Sequence, residues 1–285
     1  MESASTIKKS LVQKEIKIKK IKFMNNKKWN YSKIIKEIKK NGYFVFKNYL
    51  DKKDIKEIKE SLLETFNYIK KGKEKNLQKK YYEIKKFSPK LKGNWYDISN
   101  YNMTLRKFVH SPAMIELVKR YFKSKVIFSV RPCIHAHDHT NDFLLSPHQE
   151  TYMMSADGIL LWTPLYDTNK NNGGLVVYEN SHKHGFFKHE TKHPTLGKKA
   201  WTKEYTHISD SIIKKFKRLE LDIKAGSAVF MLNSMMHCGY QMKKKGHVRI
   251  TVTERFNPLQ RIPFLKKENA PLKIPYEADY SKILF

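Results

Sequence analysis

From Lys125 onward the chain becomes a succession of short runs rich in β-branched and aromatic residues, broken by turns. Residues 126–136, 143–154, 158–166, 175–178, 218–223, 228–232 and 248–256 each read as a strand. Short strands separated by turns must pair and cover one another, so this half predicts a sandwich or a small barrel. The half before it is helical. Residues 31–40 carry Ile34, Ile35 and Ile38 at helical spacing and stop at Asn41-Gly42. Residues 43–47 read as a strand. Asp51 then suits the N-cap of a helix through about Lys71, with Ile55, Ile58, Leu62, Leu63 and Phe66 as its apolar stripe. Residues 72–100 show no period and read as an irregular loop. A further helix follows His110-Ser111-Pro112, where proline is tolerated in the first turn. No repeat and no Pro/Gly/Ser linker divides the chain. The expectation is a basic N-terminal arm over 1–30 and one domain over 31–285, mainly β with flanking helices, its β core about 126–256. The interval 183–217 is lysine-rich and long for a loop, as lids over active sites often are.

Charge tests one class of partner. Against 27 Asp+Glu stand 57 Lys+Arg, a net +30. Only seven of those 57 are Arg, at positions 106, 120, 131, 218, 249, 255 and 261. Nucleic-acid readers favour Arg for bidentate contacts, and here the lysines are spread along the whole chain rather than gathered in one arm. The excess therefore reads as a solvated lysine-rich surface, and a nucleic-acid partner is not expected. Cys133 and Cys238 form no Cys-x-x-Cys pair and no disulfide framework, which fits a reducing compartment. The N-terminal stretch lacks the apolar run of a signal peptide, and no window approaches the ~20 apolar residues of a spanning helix. A cytoplasmic protein without membrane association is expected.

The chemistry gathers at Ser146-Pro147-His148-Gln149-Glu150, taken with His237. Alternate residues of an extended segment face the same way, so His-x-Glu aims an imidazole and a carboxylate together. One more imidazole completes two nitrogens and one oxygen on one face, a set suited to non-haem Fe(II) that leaves the opposite face open. A rival cluster is His135-Ala136-His137-Asp138-His139, with three imidazoles at alternate positions. It is similar to the His-x-His-x-Asp-His motif of metallo-β-lactamase-like zinc hydrolases, but the spacer before Asp is missing and no αββα pattern surrounds it.

Further on lie Asn171-Asn172-Gly173-Gly174-Leu175-Val176-Val177-Tyr178, then Glu179-Asn180-Ser181-His182-Lys183-His184-Gly185, then Ala225-Gly226-Ser227-Ala228-Val229-Phe230-Met231. Asn233-Ser234-Met235-Met236-His237 follows, and twelve residues past His237 comes Arg249-Ile250-Thr251. Together these make the chain resemble the phytanoyl-CoA dioxygenase family of Fe(II)- and 2-oxoglutarate-dependent oxygenases, from about Gly42 to Phe256. The resemblance implies a double-stranded β-helix, or jelly roll, with a helical cover. It implies that His148, Glu150 and His237 ligate iron and that Arg249 holds the distal carboxylate of 2-oxoglutarate. By the same resemblance Thr251, Gln149 and Trp162 would line the co-substrate pocket, and Arg131, His135 and Tyr152 would meet the substrate. His182, in the Ser-His-Lys element, would support its loop. The chemistry implied is oxidation of an aliphatic carbon of a small molecule by O2, with 2-oxoglutarate converted to succinate and CO2.

One residue departs from the family pattern, which usually has Asp where this chain has Glu150. Related oxygenases acting on free amino acids do use His-x-Glu, whereas a halogenase needs a small residue there. Each residue also has a plain structural role open to it. His148 and His237 could be core histidines, Glu150 a surface charge, and Arg249 the partner of Glu254. Thr251 and Trp162 could be ordinary strand residues. Two other functions stay in view: a zinc hydrolase built on His135, His137 and His139, and a basic nucleic-acid-binding module with a non-functional metal site.

Overall fold

The computed structural model of the chain describes residues 29–87, 102–140, 146–150, 158–190, 207–240 and 242–258. Helix α1 (Tyr31–Asn41) starts where the Asn30 side chain accepts the Lys33 N–H and buries Ile34 and Ile38. It ends at Gly42, whose φ of 81° only glycine adopts freely and whose N–H closes the turn on Ile38 O. Strand β1 (Tyr43–Phe46) follows directly. Asp51 caps α2 (Lys52–Ile69) through a reciprocal box with Asp54, and Ile58, Leu62 and Phe66 form the buried stripe.

The irregular loop expected over 72–100 is corrected in its first half. Leu77–Phe87 forms helix α3, which buries Leu77, Lys80, Tyr81 and Ile84. The apolar period was masked by a lysine at a core position. Lys80 is fully buried, and its Nζ donates to Lys70 O at 2.7 Å and to Glu83 at 2.8 Å, capping the end of α2. Helix α4 (Met103–Val109), which the sequence did not announce, and α5 (Pro112–Phe122) complete the cover. The arm at 1–28 lies outside the described residues.

The remaining strands are β2 (Ile127–His137), β3 (Ile159–Pro164), β4 (Leu175–Tyr178), β5 (His189–Glu190) and β6 (His207–Ile208). After the short helix α6 (Asp210–Ile213) come β7 (Arg218–Leu221), β8 (Ala228–Leu232), β9 (His237–Gly239) and β10 (Arg249–Pro258). They form a five-stranded sheet in the order β1-β8-β3-β10-β2, a three-stranded sheet β7-β4-β9, and the pair β5-β6. All these pairings are antiparallel.

Strand alternation sorts the large sheet into two faces. Ile159, Leu161, Phe230, Ile250, Val252 and Phe256 pack on the helices. Leu160, Trp162, Val229 and Met231 face inward and meet Leu175 and Val177 of the small sheet. The outer face of the small sheet, with Val176, Tyr178 and Cys238, is covered by Ile208, Met236, Phe187 and Phe216. The result is two facing antiparallel sheets with a helical cover, a jelly-roll core as expected. The strand expected at 143–154 is not formed where it is described. Over 146–150 the chain makes one isolated bridge, His148 to His237. The interval 183–217 is partly structured, with β5, β6 and α6 inside it, and residues 191–206 lie outside the described part.

Candidate metal centre

The bridge between His148 and His237 is what assembles the site. His148 N donates to His237 O and His237 N to His148 O, both at 3.0 Å, and Glu150 N donates to Asn233 O at 3.1 Å. Two segments far apart in sequence are thereby zipped in register. Their imidazoles lie with centroids 4.4 Å apart, and Glu150, two residues on, turns to the same side. Glu150 Oε1 stands 3.8 Å from His148 Nε2 and 3.7 Å from His237 Nε2. These separations are too long for hydrogen bonds. One ligand atom from each of the three lies within 4.8 Å of the others, and no other such group of three occurs among the described residues.

Each imidazole is oriented by its own backbone. His148 Nδ1 lies 2.7 Å from Ser146 O, and His237 Nδ1 lies 3.0 Å from Met235 O. A carbonyl can only accept, so Nδ1 carries the proton and Nε2 keeps its lone pair, which faces the shared space. Burial pushes His237 down to about 4, favouring the neutral, ligating form. Burial alone would raise the Glu150 carboxyl. The Arg255 guanidinium beside it outweighs burial and holds the group well below the usual carboxylate range. Two imidazoles and a carboxylate make a donor set that fits Fe(II) with open positions.

Arg249 lies on the inward face of β10, buried, with Nη1 donating to Gly173 O at 2.9 Å. Its Nε is buried without a partner, and no carboxylate among the described residues pairs with it. The expected alternative, a pair with Glu254, is not made. Glu254 points to the opposite face, 3.0 Å from His110. Burial lowers Arg249 to about 10, still far above neutrality. A buried cation with no counter-charge is costly, and the unpartnered Nε leaves this guanidinium with a donor free.

Two glycines make room for this guanidinium. A Cβ on Gly239 would stand 2.8 Å from Arg249 Nη1, and one on Gly173 would stand 3.0 Å from its Cδ. The Gly-Gly-Leu motif and the His-Cys-Gly that closes β9 thus serve one side chain.

The other expected residues divide. Thr251 shares the inward face of β10, and its hydroxyl is 3.5 Å from His135 O, too far to commit it. Trp162 faces inward within an apolar cluster with Leu160, Val229 and Met231. His135 is half-buried beside the centre and pushed down to about 3, by desolvation first and then by Arg255 and Arg249.

Gln149 is corrected. It points away from its neighbours, and its amide is committed to Gly185 O at 2.8 Å, Ser234 O at 2.6 Å and the Phe187 N–H at 2.8 Å. It clips a loop to the scaffold and does not serve the co-substrate. Tyr152 and the side chain of Arg131 lie outside the described residues.

The zinc-hydrolase cluster is also overturned. His135 and His137 sit on one face of β2 with centroids 6.3 Å apart. Asp138, which the motif would need as a ligand, is held by Lys85 Nζ at 2.9 Å and by Thr140. The residue that sequence reasoning missed is Arg255, whose Nε donates to Glu150 Oε2 at 3.1 Å. Its only sequence signal was its scarcity as one of seven arginines and its inward parity with Arg249.

The phytanoyl-CoA dioxygenase (PhyH) family model matches residues 38–246. No curated protein matches the chain. Among solved structures, the non-heme alpha ketoglutarate dependent epimerase SnoN from nogalamycin biosynthesis superposes with a TM-score of 0.55 at 12% identity, covering 80% of this chain and 82% of that one. The carbocyclase SnoK from the same biosynthesis gives 0.56 at 13% identity over 79% and 82%. AviO1 from Streptomyces viridochromogenes Tue57 gives 0.54 at 12% identity over 82% and 97%. Likeness at these identities bears on the fold.

Proposed function

This chain belongs to the phytanoyl-CoA dioxygenase family, enzymes that use Fe(II), 2-oxoglutarate and O2, and we propose that it hydroxylates an unactivated carbon of a small molecule at the His148, Glu150, His237 centre. The observation that carries this is the convergence of three ligand atoms from residues up to 89 positions apart, each imidazole turned by a backbone carbonyl. When bound, iron with 2-oxoglutarate and O2 supplies the oxidising power to break a C–H bond, with release of succinate and CO2.

The chain's own residues position and exclude. His148, Glu150 and His237 hold the metal, and Arg249 holds the distal carboxylate of 2-oxoglutarate through its unfilled donors, where a planar fork suits a carboxylate. Thr251 offers a hydroxyl to the same group. Trp162 and its apolar neighbours keep water from the inner wall, and His135 lines the side from which a substrate would approach. The domain runs from residue 31, a reading supported by the family match beginning at 38 and by helices that share the core of the large sheet. A small molecule is the partner the family acts on, and among the described residues no helix is long and apolar enough to cross a membrane.

The test is succinate release, with Fe(II) and 2-oxoglutarate supplied, over a library of metabolites that includes amino acids and anionic compounds. His237→Ala should abolish both coupled and uncoupled turnover. Arg249→Gln should bind metal normally yet require at least about tenfold more 2-oxoglutarate, the loss of about 1.4 kcal/mol of binding. Undiminished turnover in His237→Ala would sink the assignment.

A further inference from the structure

Glu150 poses a problem that an aspartate would not. Its extra methylene adds a rotatable bond, so its carboxylate can approach a metal through either oxygen or both. The protein settles this on the side away from the histidines. Glu150 Oε2 accepts from Arg255 Nε at 3.1 Å, while Oε1 is the oxygen turned to both imidazoles, at 3.8 and 3.7 Å. Both side chains are withdrawn from water, at 10% exposure for Arg255 and 14% for Glu150.

Arg255 is aimed by its strand. On β10 it pairs with Leu160 of β3, whose side chain faces inward, so Arg255 faces the interior as well. On the other edge the β10–β2 register shifts at this point. Thr253 pairs with Cys133 and Arg255 with Val130, so β2 carries one residue more than β10 across the interval. Pro132, which has no N–H for the ladder, sits in that interval. The irregularity lies on β2, and the β10–β3 pairing that aims Arg255 runs on unbroken.

We propose that Arg255 is a positioning residue for the metal centre: by holding Oε2 it makes Glu150 present a single oxygen, Oε1, to the ion. This rests on the reading of His148, Glu150 and His237 as metal ligands. It explains how a chain with Glu in place of the usual Asp keeps a one-oxygen carboxylate ligand. The longer side chain is tethered at its far oxygen, which leaves the remaining positions for co-substrate and oxygen.

Co(II) binding to the full chain, followed by calorimetry and by the visible d–d spectrum without 2-oxoglutarate, tests this apart from turnover. If wild type binds Co(II) no better than His237→Ala, it is the metal reading that fails, and the clamp falls with it. Given that wild type binds, Arg255→Gln should weaken Co(II) at least tenfold, in the range typical of groups that orient a metal ligand, and should alter the spectrum as the freed carboxylate changes its mode. Glu150→Asp withdraws the carboxylate from Arg255's reach, so adding Arg255→Gln to it should cost little more, and the two losses should not add. Should Arg255→Gln not fold, Arg255→Met keeps the unbranched stem and carries the same expectations. Unchanged affinity and spectrum in the folded Arg255 variant, or strictly additive losses with Glu150→Asp, would overturn the clamp.

Discussion

At the scale of single residues, the interior holds imidazoles in a charge state that water would not favour at mildly acid pH. Burial pushes His237 down to about 4 and His135 to about 3, and it carries His137 well below the ordinary histidine value. In the unfolded chain these groups take up protons near pH 6.5. A group whose folded value is depressed favours the fold above the unfolded value and loses that contribution as pH falls toward the folded one. Protein stripped of metal should therefore weaken between pH 7.5 and 5, by on the order of 1–2 kcal/mol for each imidazole kept neutral at pH 5. Glu150 and Asp138, both held low, begin to matter only below that window. Denaturant midpoints across the range check this, and a flat profile would mean that these rings accept protons within the fold. Legibility at this scale follows from local chemistry. The convergence of His148, Glu150 and His237 could be read because a metal centre would need particular atoms at particular spacings. Gln149 misled because it sits between two candidate ligands, while its own side chain, on the other side of the segment, answers to three backbone groups of two distant segments. Arg255 was invisible because its meaning lies in a 3.1 Å contact across 105 positions of sequence.

Between elements, the junction of α1 and β1 shows how one position can bind a helix, a strand and a motif loop. Gly42 ends α1 at φ 81°, and a Cβ there would stand 2.5 Å from His182 Nδ1 and 2.7 Å from its Cγ. The Ser-His-Lys element, expected to support its loop, thus packs its histidine against the turn that opens the large sheet. Gly246 has a similar φ of 72° but open space where its Cβ would be. Gly246→Ala should cost only the left-handed backbone penalty, about 1–2 kcal/mol. Gly42→Ala should cost that and the displacement of the half-buried His182 ring, and so lose clearly more in thermal or denaturant unfolding. Equal losses would show that His182 yields without resistance. The elements that sequence reasoning found were those whose signals are local, such as the Asp51 N-cap and the β-branched run of β4. Helix α3 escaped because Lys80 occupies a buried position on its inner face. Strand β9 escaped because His237-Cys238-Gly239 is short and weak in strand propensity, its Gly239 leaving clearance for Arg249.

For the molecule as a whole, helices followed by short strands were enough to place a helical cover on a two-sheet core, because layer architecture follows from which faces must be buried. Net charge says nothing about that architecture, yet it sets how hard the folded chain pushes against itself. With 57 basic and 27 acidic residues, pairing every acid with one cation would still leave 30 positive charges without a counter-charge. The ion pairs at the surface are of the weak kind. Lys56–Glu60, Lys107–Glu57, Lys217–Glu179 and Lys224–Asp167 are all substantially exposed. Salt acts on both contributions with opposite signs, weakening the pairs and relieving the repulsion. The Debye length falls from about 30 Å at 0.01 M to about 8 Å at 0.15 M, a range that spans the distances between unpaired lysines more than the contact distances within pairs. Repulsion should therefore be the larger loss, and the thermal midpoint should rise as NaCl increases from 10 to 300 mM, by roughly 2–4 °C for each kcal/mol recovered. KCl should act alike, since screening depends on ionic strength and not on the identity of the cation. A midpoint that falls with salt would mean that the few exposed pairs outweigh thirty unbalanced charges, and that the excess lysines are already neutralised by contacts within the chain.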